Sequence, residues 1–301
     1  MAAKRKNGFV VLLGVFIGLV LLAFGGTWVA TRQRLSRPWS VEASLLTATP
    51  PSPALVARGK ALANADGCIH CHTETLGGKV MEEIAPLGTI ASTNLTRGGP
   101  KRTMRDWALA VRHGLRSDGT TLVGMPSDVF YDMSDEDLGA IVAYANSLPP
   151  VRKPVPERHI GVMGNLVIGL GLAPVAATSV RHDVKPIVIP PGVSVERGHY
   201  RTRLCTICHG SDLGGLPVGM AMAPGPNLTP SGALGTWTEA DFIRALRTGE
   251  APHGRKLNGK IMPWDTFKDL SDEDLKSIWA YVHSLPPSRR TGQQPAAKPA
   301  A

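Results

Sequence analysis

Cys68-Ile69-His70-Cys71-His72 decides how this chain is read, because the pattern returns 137 residues later as Cys205-Thr206-Ile207-Cys208-His209. In a C-x-x-C-H run two thiols can be joined to the vinyl groups of a porphyrin, and the adjacent imidazole can ligate its iron. All four cysteines of the chain lie in these two runs, so no thiol is left for a structural disulfide. A zinc ribbon needs its two cysteine pairs at short separation, and a thioredoxin-like dithiol needs no following His and sits near a βαβ pattern that is absent here. Two covalently attached haem c groups are therefore expected. Cys68, Cys71, Cys205 and Cys208 carry the thioethers, with His72 and His209 as proximal ligands.

Other stretches repeat at the same distance. Ser134-Asp135-Glu136-Asp137-Leu138 returns as Ser271-Asp272-Glu273-Asp274-Leu275, and Ser147-Leu148-Pro149-Pro150 as Ser284-Leu285-Pro286-Pro287. The offset falls to 133 at Asn94-Leu95-Thr96 and Asn227-Leu228-Thr229, as compensating loop insertions and deletions produce. The chain is a tandem duplication. Each repeat reads as helical, with little strand pattern. Pro53 and the alanines that follow it favour a helix leading to the first motif. Thr103-x-x-Asp106 and Thr238-x-x-Asp241 are helix starts that run to Gly114 and Gly249, and Ser134-x-x-Asp137 and Ser271-x-x-Asp274 open helices that end before Pro149 and Pro286.

The second iron ligand separates an electron carrier from an enzyme with an open coordination site. Met125-Pro126 and Met262-Pro263 both lie 53 residues beyond the proximal His. That matched spacing singles out Met125 and Met262 against Met133 in the first repeat and Met220 and Met222 in the second, which have no counterparts. A thioether sulfur favours ferrous iron and raises the reduction potential. His70, His113, His159, His182, His199, His253 and His283 are expected to be surface, helix or linker residues. Asn94 and Asn227 stand in formal N-x-T sequons, yet a loop amide bonded to backbone or to a propionate is the reading preferred here.

The formal charge of +9 invites a nucleic-acid reading, but it is in the wrong places: +5 over residues 1–49, −2 over 50–150, +3 over 151–190, zero over 191–287 and +3 in the tail. No nucleic-acid partner is expected. Residues 1–8 form a basic N-terminus. The uncharged run 9–30 would extend about 33 Å as a helix, enough to cross a bilayer core and longer than the apolar part of a cleaved signal. Residues 31–53 read as a Pro-interrupted stalk, 54–150 and 191–287 as the two haem domains, 151–190 as an apolar linker, and 288–301 as a disordered tail. Thioether haem attachment in bacteria is completed outside the cytoplasmic membrane, which puts the bulk of the chain in the periplasm. A second membrane span in the linker would separate the two haem domains. That segment is expected on the haem domains or on the membrane surface.

These features together resemble membrane-anchored dihaem c-type cytochromes: the twin C-x-x-C-H, Asn-Leu-Thr, the Trp107 or Phe242 helix ending in Arg-x-Gly, Met-Pro, and the Asp-Glu-Asp-Leu to Ser-Leu-Pro-Pro helices. The likeness covers residues 54–287 and is similar to the cytochrome subunits that serve periplasmic dehydrogenases. It implies an all-α fold of two tandem class I cytochrome c domains behind one N-terminal transmembrane helix. In that family a proline carbonyl accepts the proximal imidazole N–H, for which Pro86 and Pro224 are the candidates; either could equally be an ordinary turn proline. The implied role is single-electron transfer from a periplasmic dehydrogenase or quinol-oxidising complex to a terminal oxidase or soluble cytochrome, without catalysis of its own. The rivals are a dihaem subunit of a cbb-type oxidase and a dihaem peroxidase or sulfur-compound oxidase.

Overall fold

The apolar run opens a single long helix, α1 (Ala2–Ser36), long and apolar enough from Val10 onward to span a membrane. The computed structural model describes residues 2–42, 50–173, 175–217 and 224–288, with side chains from residue 10. The expected stalk begins later than residue 31. α1 continues through Arg32, Gln33 and Arg34, whose unbranched side chains suit a helix, and it stops just ahead of Pro38, which disfavours helical backbone at the residue before it. Residues 43–49 of the stalk lie outside the described residues.

Ser52 caps α2 (Pro53–Ala65) by accepting the Leu55 N–H at 3.1 Å, and α3 (Cys68–His72) is the first motif itself. An antiparallel hairpin follows, β1 (Lys79–Ile84) and β2 (Gly88–Ser92). The fold is mostly helical as expected, with this hairpin part of a small sheet; the strand pattern was hidden because a bulge between Val80 and Glu82 breaks the alternation on which a strand is recognised. α4 (Met104–His113) has the full reciprocal capping box of Thr103 and Asp106 and ends on Gly114 at φ 64°. α5 (Ser127–Phe130) is one turn, and α6 (Asp135–Ser147) is capped by Ser134.

The linker is structured. β3 (His159–Ile160) extends the sheet on β2, and α7 (Val162–Gly169) and α8 (Ala176–Ser179) follow. The second repeat then supplies α9 (Val195–Arg201), α10 (Cys205–His209), α11 (Glu239–Thr248) and α12 (Asp272–Ser284). Thr238 and Asp241 close the capping box of α11, and Gly249 ends it at φ 72°. The tail from residue 289 lies outside the described residues.

The chain forms two compact units. In one, made of Met1–Thr47, Cys71–Asp132 and Pro149–Lys185, α7 lies on the last turns of α1 and Leu35, Ile168 and Val175 share a buried cluster. In the other, made of Ala48–His70, Met133–Leu148 and Pro186–Ala301, α2 crosses α6 and α9 crosses α12. Both crossings are made over a glycine: a Cβ on Gly59 would collide with the Ala140 carbonyl, and one on Gly198 with the Ser277 carbonyl. No larger residue lets the helices approach so closely.

Candidate haem sites

Each attachment motif folds as a short helix, so that residues i, i+3 and i+4 fall on one face and bring both sulfurs and the imidazole together. None of the four cysteines is in a disulfide, and all four are half-buried. Burial raises the Cys71 thiol above its ordinary value and pushes Cys205 up to about 12, so both are held as S–H.

The two imidazoles are held alike. His72 Nδ1 lies 2.7 Å from the Thr93 carbonyl oxygen and His209 Nδ1 lies 2.7 Å from that of Pro226. A carbonyl only accepts, so Nδ1 carries the proton in each ring and Nε2 presents its lone pair. Burial lowers both histidines below the usual imidazole range, against the opposing pull of these carbonyls, which keeps them in the neutral form that ligates iron. The expected acceptors are corrected. Pro86 sits in the turn between β1 and β2, where its carbonyl accepts the Met163 N–H at 2.7 Å, and in the second repeat the acceptor is Pro226 rather than Pro224. Thr93 and Pro226 are equivalent residues, each immediately before Asn-Leu-Thr. That shared triplet was the available signal.

The triplet's asparagine locks the loop. Asn94 Oδ1 accepts from Thr96 N at 2.9 Å and Thr96 Oγ1 at 2.8 Å, and its Nδ2 donates to the Val151 carbonyl at 2.6 Å. Asn227 repeats the pattern with Thr229 at 2.8 and 2.7 Å and the Ser288 carbonyl at 3.3 Å. Both side chains bond backbone, as expected of them, and both are buried. A further pair went unnoticed in the sequence: Leu76 and Leu213, at the start of the shared Leu-Gly-Gly, are fully buried at φ 53°. Their carbonyls accept Leu95 N and Leu228 N, each at 2.8 Å, tying the motif to the Asn-Leu-Thr loop. Such left-handed leucines cost on the order of 1 kcal/mol each, tolerated because burial and these bonds over-determine them.

The first loop also carries a cation that the second lacks. Arg102 donates to the Asn94 carbonyl at 3.0 Å and to Thr93 Oγ1 at 2.9 Å, whereas Trp237 holds the equivalent position.

Met125 and Met262 are half-buried and share a local geometry. Their carbonyls accept Ser127 N at 2.9 Å and Trp264 N at 2.7 Å, and the prolines between have φ/ψ of −81°/59° and −75°/64°. Met133 is buried in the core, and Met220 and Met222 lie outside the described residues. Of the other histidines, His113 Nδ1 lies 3.1 Å from His182 Nδ1 and the His283 ring lies against Trp279 with centroids 3.6 Å apart and planes tilted by 39°, roles in packing. Among the described residues no cluster of three or more His, Cys, Asp or Glu could hold a bare metal ion. Reduced paired thiols beside a neutral imidazole with a free Nε2 fit haem c, and they do not fit zinc.

Comparison with known proteins agrees. Residues 56–149 match the family described as "Cytochrome c", and residues 196–282 match "Cytochrome C oxidase, cbb3-type, subunit III". The fructose dehydrogenase cytochrome subunit of Gluconobacter japonicus is 29% identical over 81% of this chain and 56% of its own length. The alcohol dehydrogenase (quinone) cytochrome c subunit of Gluconacetobacter polyoxogenes is 32% identical over 78% and 56%, and the gluconate 2-dehydrogenase cytochrome c subunit of Pantoea cypripedii is 30% identical over 77% and 60%. The chain thus spans a little over half the length of these curated relatives. Two family matches in succession, laid on a duplication in which both repeats fix the proximal imidazole by the same loop, make the chain a c-type cytochrome of two tandem domains that bind haem c covalently.

Proposed function

We propose that the chain is the membrane-anchored electron-transfer subunit of a dehydrogenase complex at a bacterial inner membrane. α1 crosses once and the haem domains, residues 54–150 and 191–287, stand on the periplasmic side. Single electrons enter from the dehydrogenase or from a quinol-oxidising complex and leave to a terminal oxidase or a soluble cytochrome. The carrying observation is the duplicated site, two imidazoles fixed by equivalent carbonyls 2.7 Å away, in a chain whose relatives are named as dehydrogenase cytochrome subunits.

Bound haem supplies a one-electron iron couple. The chain's residues do the rest. Cys68 and Cys71, or Cys205 and Cys208, would tether the ring edge and His72 and His209 would ligate through Nε2, while the Thr93 and Pro226 carbonyls hold each imidazole in one tautomer and orientation. Met125 and Met262 would complete the coordination, where soft sulfurs would favour the reduced metal.

A second reading, an oxidase subunit, is favoured by the family matched over residues 196–282. Gentle solubilisation of the membranes and identification of what copurifies separates the two. A copurifying dehydrogenase whose substrate reduces both haems is the expected result. Oxidase subunits in its place select the second reading, and a chain that copurifies with neither and is reduced by neither defeats both.

A further inference from the structure

We propose that the turn after α7 is an apolar tip that dips into the lipid beside α1, giving this unit a second, interfacial hold on the bilayer. The proposal rests on reading α1 as a membrane-spanning helix.

The depth follows from contacts along α1. Thr31 Oγ1 donates to the Asn165 carbonyl at 2.7 Å, and Gly169 sits on Thr27, where a Cβ would collide with the Thr27 carbonyl oxygen. Four residues forward on α7 correspond to four residues back on α1, so α7 descends antiparallel to it. The apolar run of α1 ends at Ala30, which puts Thr27 about 4.5 Å inside that run at 1.5 Å per residue. Leu170 and Leu172 follow Gly169, and the chain then climbs back to Val175, which packs on Leu35.

The tip is built for lipid. Residues 160–180 contain no charged side chain. Leu170 is 57% exposed and Leu172 is 72% exposed. Higher up, Val162 and Met163 are exposed as well. The amide hydrogens around the turn are satisfied within the segment: Leu170 N bonds Leu166 O at 3.0 Å, Gly171 N bonds Ile168 O at 3.0 Å, Leu172 N bonds Val167 O at 2.9 Å and Ala173 N bonds Val167 O at 3.3 Å. Backbone facing hydrocarbon needs this internal pairing, which a loop in water does not. Arg34 stands beside Gly171, and Arg32 lies over the Trp28 ring at 4.8 Å, an arginine and tryptophan belt at headgroup level. Continuity with the spanning helix, lack of charge and this belt select a lipid surface as the occupant rather than a protein.

The test uses the full haem-loaded chain in phosphatidylcholine–phosphatidylglycerol nanodiscs. The native cysteines are consumed as thioethers, so a single new cysteine is the only reactive thiol. Leu172→Cys is compared with Leu19→Cys within α1 and with Val188→Cys, whose parent is 87% exposed. A sulfonated, membrane-impermeant maleimide should label Leu172→Cys more slowly than Val188→Cys by about tenfold or more, whereas a lipid-soluble maleimide should reach both. Leu170→Cys repeats the reading should the first variant fold poorly. Leu172→Cys labelled as fast as Val188→Cys, with Leu19→Cys still protected, overturns the proposal and leaves the anchor intact. Protection that appears only in a complex with copurified subunits overturns it in favour of a protein contact. Rapid labelling of Leu19→Cys removes the anchor, and the tip with it.

Discussion

Met125 and Met262 share backbone geometry as well as spacing, and their sulfurs are the residues most open to direct test. Met125→Ala and Met262→Ala should each abolish the near-infrared sulfur-to-iron band of one haem and keep that of the other, with a lower potential at the altered iron. Retention of the band at both haems in both variants would remove the methionines from the site. A second prediction concerns His113. Burial first, then His182 and Arg112 beside it, lower its pKa to about 4. The unfolded chain therefore binds a proton that the folded chain refuses between about pH 6.5 and 4. Stability should fall as pH drops through that window, by on the order of 1–3 kcal/mol, and His113→Gln should flatten the loss in denaturant titrations followed by near-UV circular dichroism. At this scale the cysteines and proximal histidines were legible because their chemistry is in the side chain. The acceptors Thr93 and Pro226 were not, since a backbone carbonyl leaves no mark on residue identity.

Helix pairs carry the next level. Arg58 pairs with Asp137 at 2.7 Å, as Arg197 pairs with Asp274 at 2.8 Å, so each crossing of an early and a late helix is closed by an equivalent ion pair. Arg201 joins the two crossings: it bonds Asp137 and also reaches Asp274 at 2.8 Å, while Tyr200 Oη donates to Asp137 at 2.9 Å. Burial alone would raise Asp137 and Asp274, but Arg201 outweighs it, with Arg58 acting on Asp137 and Arg197 on Asp274, and holds both carboxyls below the usual range. Their contribution is present above pH 3.8 and is lost below it, separate from the His113 window. Arg201→Met leaves two buried carboxylates short of a partner and should cost about 3–5 kcal/mol in denaturant unfolding. A loss under 1 kcal/mol would show that the cluster is not coupled to folding. The Ser-x-x-Asp signal located these aspartates at helix starts, and the structure gives their carboxylates to arginines instead of to the caps. The hairpin stayed hidden for a different reason, the bulge in β1.

For the whole molecule, the duplication was plain from the 137-residue offset, and with it the helices, the caps and the paired sites. What joins the repeats was not, because periodicity shows only what the two halves share. With the two Arg-Gly pairs aligned, Tyr200 and Arg201 correspond to Ala61 and Leu62, so the residues that bridge are those in which the copies differ. The path of the linker was hidden for a related reason: an uncharged stretch fits a core, a span or a surface equally well until its neighbours are known. The bridge bears on the order in which the protein is made. Asp137 meets Arg201 across 64 residues of chain, so it is synthesised well before the arginine that pairs with it. Until that arginine is made, Arg58 is the ion-pair partner that Asp137 already has.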